Sequence, residues 1–367
     1  MIFFLTKFSF SQENLGSVLD NYNPTNGQYL NPSNIVDSKV WLDINFMGGS
    51  MYARNNLVYF PNSTWLNSET FNQDPLVKTD LNNIRLYTDF DLRGPAVSFN
   101  IAGHGFSVFS GIRGVFNVNK LPGQLAKYAI NERLEDSDIG TYNVNNARIK
   151  SMVWGEVGVT YGKILFARGT RMWTGALSVK RLFGIQQANL LIDKAEVVVV
   201  APNDVNLNSI NGRFSSSNGG INSGGGWGIS LGTTFKRMKN ETRRYKPHWK
   251  RTGCECEDYE YKIGLSLLDV GFINFGTNSY YGEFDANLDL EENNTISEIQ
   301  SEFSTNNDGS GFNSWLPAAI SLQADYNLND LIYLNGTLIQ KMPLMANVYG
   351  VERTNLLAIS ARLESQF

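Results

Sequence analysis

The chain has 367 residues, with 31 Lys and Arg against 35 Asp and Glu, a net charge of −4 and 42% hydrophobic residues. That balance excludes a nucleic-acid binder, whose footprint is a basic excess. No run of eighteen apolar residues is present, so a transmembrane helix, which needs about 20, is excluded as well. A transmembrane β-barrel passes the same filter, because its strands are apolar only at every second position.

From the N-terminus, residues 1–12 read as the tail of a secretory signal, an apolar run (Met-Ile-Phe-Phe-Leu) followed by Ser and Gln. It lacks the basic region of a complete signal and is read as a partial signal peptide. Residues 13–38 form a polar N-terminal segment with two Asn-Pro pairs, and 39–367 alternate with period two, as half-buried strands do. The alternation predicts ten strands at 39–48, 84–101, 106–117, 148–161, 173–192, 227–236, 259–275, 315–326, 331–341 and 354–364. Many run to ten residues or more, whereas soluble strands average about five or six; a tilted membrane strand needs about 9–11. Short turns are expected at Gly103-His104-Gly105, near 165–171 and at 327–330, and long polar excursions at 61–82, 118–146, 201–224 and 276–313. Outer-membrane barrels show this asymmetry, with short periplasmic turns and long extracellular loops. Residues 121–135 carry the one good helix pattern, placed in such a loop.

The two faces separate by chemistry. One carries Val157, Val159, Tyr161, Trp227, Ile229, Leu231, Phe235, Ile320, Leu322, Leu357 and Ile359, which face lipid in a barrel. The other carries Asp43, Asn45, Ser98, Asn100, Arg113, Lys150, Glu156, Lys180, Thr234, Lys262, Gln323, Asp325, Asn335, Thr337 and Arg362, which line the lumen. Both signs occur, so the interior reads equally as a core locked by ion pairs or as a passage for polar solutes. Two charges break the pattern. Arg181 and Asp269 fall on the lipid face if the register continues, where a midplane charge costs about 2–4 kcal/mol. A β-bulge at each, or an interfacial position for Arg181, resolves the conflict.

No phosphate-cradling glycine loop, metalloprotease helix or nucleophile elbow is present. The two histidines, His104 and His248, lie in a turn and a basic loop, so no catalytic site and no cofactor is expected. Cys254 and Cys256 are too close in sequence for an unstrained disulfide, and with His248 they match no standard zinc spacing. The basic loop 236–251 and the acidic, Asn-rich stretches at 283–294 and 306–310 read as solvated loops; the latter lack EF-hand spacing.

The core of the N-terminal segment, Tyr29-Leu-Asn-Pro-Ser-Asn34, resembles the Asn-Pro-Ala element near the N-terminus of FadL-like outer-membrane transporters and of PorV-type barrels. Trp154–Tyr161, Leu177–Gly184 and Leu265–Gly271 resemble a Bacteroidota-type outer-membrane barrel family of unassigned function. The resemblance runs from Asn21 to Phe367. It implies a barrel of about fourteen strands with the N-terminal segment tucked into or against it. Since ten are read here, further C-terminal strands are expected. It also implies binding or passage of small hydrophobic molecules. The reading is therefore a non-enzymatic protein of the cell outer membrane, with outer-membrane lipid and a hydrophobic ligand or envelope-complex proteins as partners. Its rivals are a barrel that anchors partners in an envelope secretion or motility complex, and a secreted soluble β-sandwich adhesin.

Overall fold

The computed structural model describes residues 18, 21–59, 76–77, 83–126, 136–201, 204–217, 219–221, 223–242, 245–248, 258–276, 279–287, 311–342 and 349–364. A one-turn helix, α1 (Pro24–Gly27), and a 3-10 turn (Pro32–Ile35) begin the ordered chain. Asn31 starts that turn by accepting the Ser33 N–H at 3.0 Å, with Pro32 at a position where no backbone donor is needed.

Sixteen strands follow among the described residues. They are β1 (Leu42–Asn45), β2 (Gly48–Asn55), β3 (Val58–Tyr59), β4 (Leu76–Val77), β5 (Ile84–Ile101), β6 (His104–Leu121), β7 (Gly140–Arg168) and β8 (Arg171–Ala201). After these come β9 (Asp204–Ser217), β10 (Gly224–Met238), β11 (Tyr259–Phe275), β12 (Ser279–Asn287), β13 (Phe312–Trp315), β14 (Ala319–Asn327), β15 (Ile332–Lys341) and β16 (Leu356–Leu363). Fourteen build one antiparallel sheet in the order β1-β5-β6-β7-β8-β10-β11-β14-β15-β16, with β2, β9, β12 and β13 paired alongside; β3 and β4 pair separately. The path begins at β1 and ends at β16, and no pairing joins the two ends among the described residues.

The ten strands on that path are the ten read from the alternation, but the total of about ten is corrected to sixteen among the described residues. The excursions 201–224 and 276–313, read as loops, contain β9, β12 and the first two residues of β13. β8 runs for 31 residues: its first half pairs with β10 and its second half with β9, which pairs in turn with β12. At about 3.3 Å per residue, β8 spans roughly 100 Å. The alternation reads only 173–192 of it as strand, because the polarity of its faces reverses along its length. Of the helix expected over 121–135, residues 123–126 are helical and 127–135 lie outside the described residues. So do residues 1–12, Cys254, Cys256 and most of the acidic stretches.

Tight turns join the long strands. Ala102 and Gly103, both with φ in the left-handed region (54° and 81°), link β5 to β6, the geometry that matches the twist of a hairpin. Gly169, with φ 57°, and Thr170 link β7 to β8.

Candidate functional site

The sheet buries its polar face and exposes its apolar one. Trp227, Ile229, Leu231, Val157, Val159, Ile320, Leu322, Leu357 and Ile359 are exposed, from 41% for Ile320 to 76% for Ile359; Tyr161 is exposed too, and Phe235 is half-buried. On the opposite face Arg113, Lys150, Glu156, Lys180, Thr234, Gln323, Asp325, Asn335 and Asn100 are buried, with Ser98 and Thr337. Asp43, Asn45, Lys262 and Arg362 are half-buried on that same face. A water-soluble sheet does the reverse, because apolar area leaves water at about 25 cal/mol per Å².

The buried face wraps the N-terminal segment. The Pro32–Ile35 turn touches β5, β6, β7, β8 and β10. Asn31 Nδ2 donates to Gln323 Oε1 on β14 at 3.0 Å, and Ser33 Oγ lies 2.6 Å from Thr234 Oγ1 on β10. Ser266 on β11 donates to the Leu30 carbonyl at 2.7 Å, and Thr160 on β7 donates to Gln28 Oε1 at 2.9 Å. Asp43 accepts from both the N–H and the hydroxyl of Thr25, Arg93 donates to Asn26 Oδ1, and Lys236 pairs with Asp37 at 2.7 Å. The buried His248 lies 2.9 Å from the Ser38 carbonyl. Such a contact needs room, and glycines provide it. A Cβ on Gly105 would stand 2.5 Å from the Ile35 carbonyl oxygen, and one on Gly232 would stand 2.2 Å from Asn31 Oδ1. Gly162 and Gly264 make the same clearance for Val36 and Asn31.

Above this segment lies a four-charge cluster. Asp269 accepts from Arg113 at 2.9 Å and from Lys180 at 2.7 Å, while Glu156 lies 3.8 and 3.6 Å from the same two cations. Two positive and two negative charges thus cancel in a closed space, the condition under which burial of ions is tolerated. The Arg113 guanidinium also lies 5.2 Å from the ring centre of the fully buried Trp154. Asp269 arrives there through a bulge. Leu268 and Asp269 together oppose the single Ser230 in the β10–β11 pairing; Asp269 has φ 53° and donates its N–H to Ser230 Oγ. The expected bulge is therefore present at Asp269.

At Arg181 it is not: the register with Val157 and Trp227 runs through unbroken, and the β7–β8 irregularities fall to either side, between Val153 and Trp154 and between Ile164 and Phe166. Arg181 stays on the exposed face. Its guanidinium lies 5.3 Å from the Trp227 ring centre, and it donates to the Gly226 carbonyl at 3.3 Å, so the charge is covered rather than turned inward.

A second charged group gathers at the short-turn end. Asp325 accepts from the Tyr259 hydroxyl at 2.8 Å and from Arg362 at 3.0 Å, with Lys262 at 3.7 Å. Glu364 contacts Arg362 and Lys39, and Asn21 donates to Glu364 at 2.9 Å. Lys39 is held above its ordinary pKa; burial works against this, but the bond to Asp258 and the charges of Glu364 and Asp258 outweigh it. These contacts bring residues before β1 against the end of β16.

The opposite end is closed by 349–353, between β15 and β16. Lys150 Nζ donates to the Gly350 carbonyl at 2.8 Å, Asn189 and Ser314 donate to the Tyr349 carbonyl, and Val351 is buried among Tyr52, Trp154, Leu182, Phe275 and Phe312. Burial alone would raise the Glu352 carboxyl, but the hydrogen bond and charge of Lys341, with Lys150 and Arg148 beyond, hold it below the ordinary carboxylate range.

The profile of one protein family matches residues 32–358. The chain belongs to the family of unknown function DUF5723. No curated protein and no solved structure matches it. The family match begins at Pro32, within the wrapped segment, and ends within β16, so it includes the charge cluster, its bulge and the closing loop of this DUF5723 chain. Two parts of the site escape the alternation pattern: the segment 21–38, which is irregular, and the loop 349–353. The glycines at 105, 162, 232 and 264 were the readable signal, since each falls on the polar face where a strand gains nothing from lacking a side chain.

Proposed function

We propose that this DUF5723 chain is a non-enzymatic outer-membrane β-barrel protein whose interior is a locked polar core, and that it serves as a membrane anchor for partners in an envelope complex. The observation that carries the reading is the inverted polarity, with an apolar face outward over buried ion pairs. Only a non-aqueous surrounding makes that arrangement favourable. The dimensions support it. On β10 the apolar row runs from Trp227 to Phe235, eight residue steps, or about 27 Å along the strand at ~3.4 Å each. With a tilt near 40° that covers about 20 Å, close to the ~25 Å band of known barrels. Aromatics mark both borders. Trp227, Phe272 and Trp315 neighbour one another at one end, with Phe272 and Trp315 5.5 Å apart, and Trp173, Phe235 and Tyr261 follow at 6.2 Å intervals at the other.

Beyond the first border the polarity turns back. Val144, Ala147, Ala195 and Val197 become the buried cluster, while Asn143, Asn145, Arg148 and Lys194 are exposed. The far halves of β7 and β8, with β9 and β12, thus behave as a water-exposed arm standing on the membrane region. This arm and the filled interior favour anchoring over passage of small hydrophobic molecules. In a bilayer the edges of β1 and β16 that carry no partner strand among the described residues require pairing, because lipid offers no hydrogen bonds to a strand edge.

The test is fractionation and reconstitution of the full-length protein. Recovery in the outer membrane after alkaline washing, with no liposome swelling or labelled fatty-acid uptake and with a stable co-purifying envelope complex, is the expected result. Fatty-acid uptake would favour passage of hydrophobic molecules instead. Retention in the aqueous fraction without detergent would sink the membrane reading and leave a soluble adhesin.

A further inference from the structure

We propose that the outward face carries a site for an anionic phospholipid, with an acyl chain lying in an apolar groove across β7, β8, β10 and β11 and the phosphate held at Lys163. The proposal rests on the bilayer reading above and names a ligand for that surface.

The groove is an open depression of about 720 Å³, within the ~300–1,000 Å³ of ordinary ligand sites. Its walls include Leu165, Leu177, Leu231, Leu265 and Ile320, one or more from each of five neighbouring strands. Its floor comes from two local features. Gly175, facing Lys163 on β7 and Thr233 on β10, leaves bare backbone where a side chain would stand. Next to it the β7–β8 register slips between Ile164 and Phe166, which leaves Leu165 as the extra residue of a bulge. Its Cδ1 comes to 2.8 Å from the position of a Gly175 Cβ. A flat row of Leu and Val would present no such depression.

One end of the groove is cationic. Lys163 lines it, is exposed, and forms no ion pair among the described residues. It pairs in register with His104, whose ring is 3.0 Å from the Tyr161 hydroxyl. Arg168 and Arg171, partners at the end of the β7–β8 hairpin, are exposed beyond it. Cations at the border of an apolar surface reach for headgroups while their stems stay in the apolar layer. A neutral apolar occupant would leave Lys163 unanswered, whereas a phospholipid of net negative charge matches the groove with its acyl chain and the cationic end with its headgroup.

Native mass spectrometry of the full-length protein, released from nanodiscs containing equal phosphatidylglycerol and phosphatidylcholine, tests this. The wild type is expected to retain one phosphatidylglycerol in preference to phosphatidylcholine. Lys163→Glu should lower that retention about fivefold, and Thr233→Leu, which fills the groove from the facing strand, should abolish retention of both lipids. Equal retention of the two lipids by the wild type, or unchanged retention in Lys163→Glu, overturns the site while leaving the membrane reading intact. Failure of the wild type to enter nanodiscs at all overturns both.

Discussion

Asp269 on β11 and Arg113 on β6 meet at 2.9 Å, although the strand that carries Asp269 would, without its bulge, turn the carboxylate to the opposite face. The extra residue at Leu268–Asp269 brings a carboxylate that would otherwise lie on the exposed face into the centre of the buried cluster. Replacing Asp269 with Asn leaves Arg113 and Lys180 with Glu156 as their remaining ion-pair partner within 4 Å among the described residues. Breaking a buried pair from one side costs about 3–5 kcal/mol, and urea unfolding of the vesicle-inserted protein should show a loss of that order. A loss below about 1 kcal/mol would mean that water reaches the cluster.

The wrapped segment depends on missing side chains. Gly105→Ala places a Cβ 2.5 Å from the backbone oxygen of Ile35, and backbone cannot swing away as a flexible side chain can. The segment should be displaced with the sheet intact. A Ser33→Cys reporter, buried in the parent, should then react with maleimide at least tenfold faster. Unchanged labelling would show that the sheet, not the segment, gives way.

The loop at 349–353 should respond to acid. A carboxyl whose pKa is lower in the folded state stabilises that state at pH above its ordinary value, here near 4.5, and the contribution fades as pH falls through the lowered value. Proteolysis within 342–355 should therefore be slow at neutral pH and accelerate below about pH 4.5. Glu352→Gln should flatten the profile, with cleavage faster than wild type at neutral pH and the two rates converging in acid. A wild-type profile that stays flat into strong acid would remove Glu352 from the contact with Lys341 and Lys150.

On the outward face, Leu231 stands midway between the aromatic borders. Leu231→Arg should cost about 2–4 kcal/mol in a bilayer, whereas Asn143→Arg, on the exposed side of the arm, should be near neutral. Similar small costs at both sites would contradict an apolar surrounding for β10.

The strand alternation, the ten strands of the sheet path, the tight turns and the membership of each face were legible in the residues themselves, because a period of two is a local property of a pleated strand. Lys180 and Ser178 share a face whatever they pack against. Other features depend on partners distant in the chain. The bulge at Asp269 exists because β10 supplies one residue against two, and its absence at Arg181 follows from an unbroken register with Trp227 and Val157. The continuation of β8 into an arm depends on β9 and β12, drawn from stretches too polar to read as strands. The segment 21–38 has no periodicity; its position comes from hydrogen bonds to strands as far as 343 residues away, as between Asn21 and Glu364. Alternation told which side chains lie together, and tertiary pairing decided where the register breaks and what fills the enclosed face.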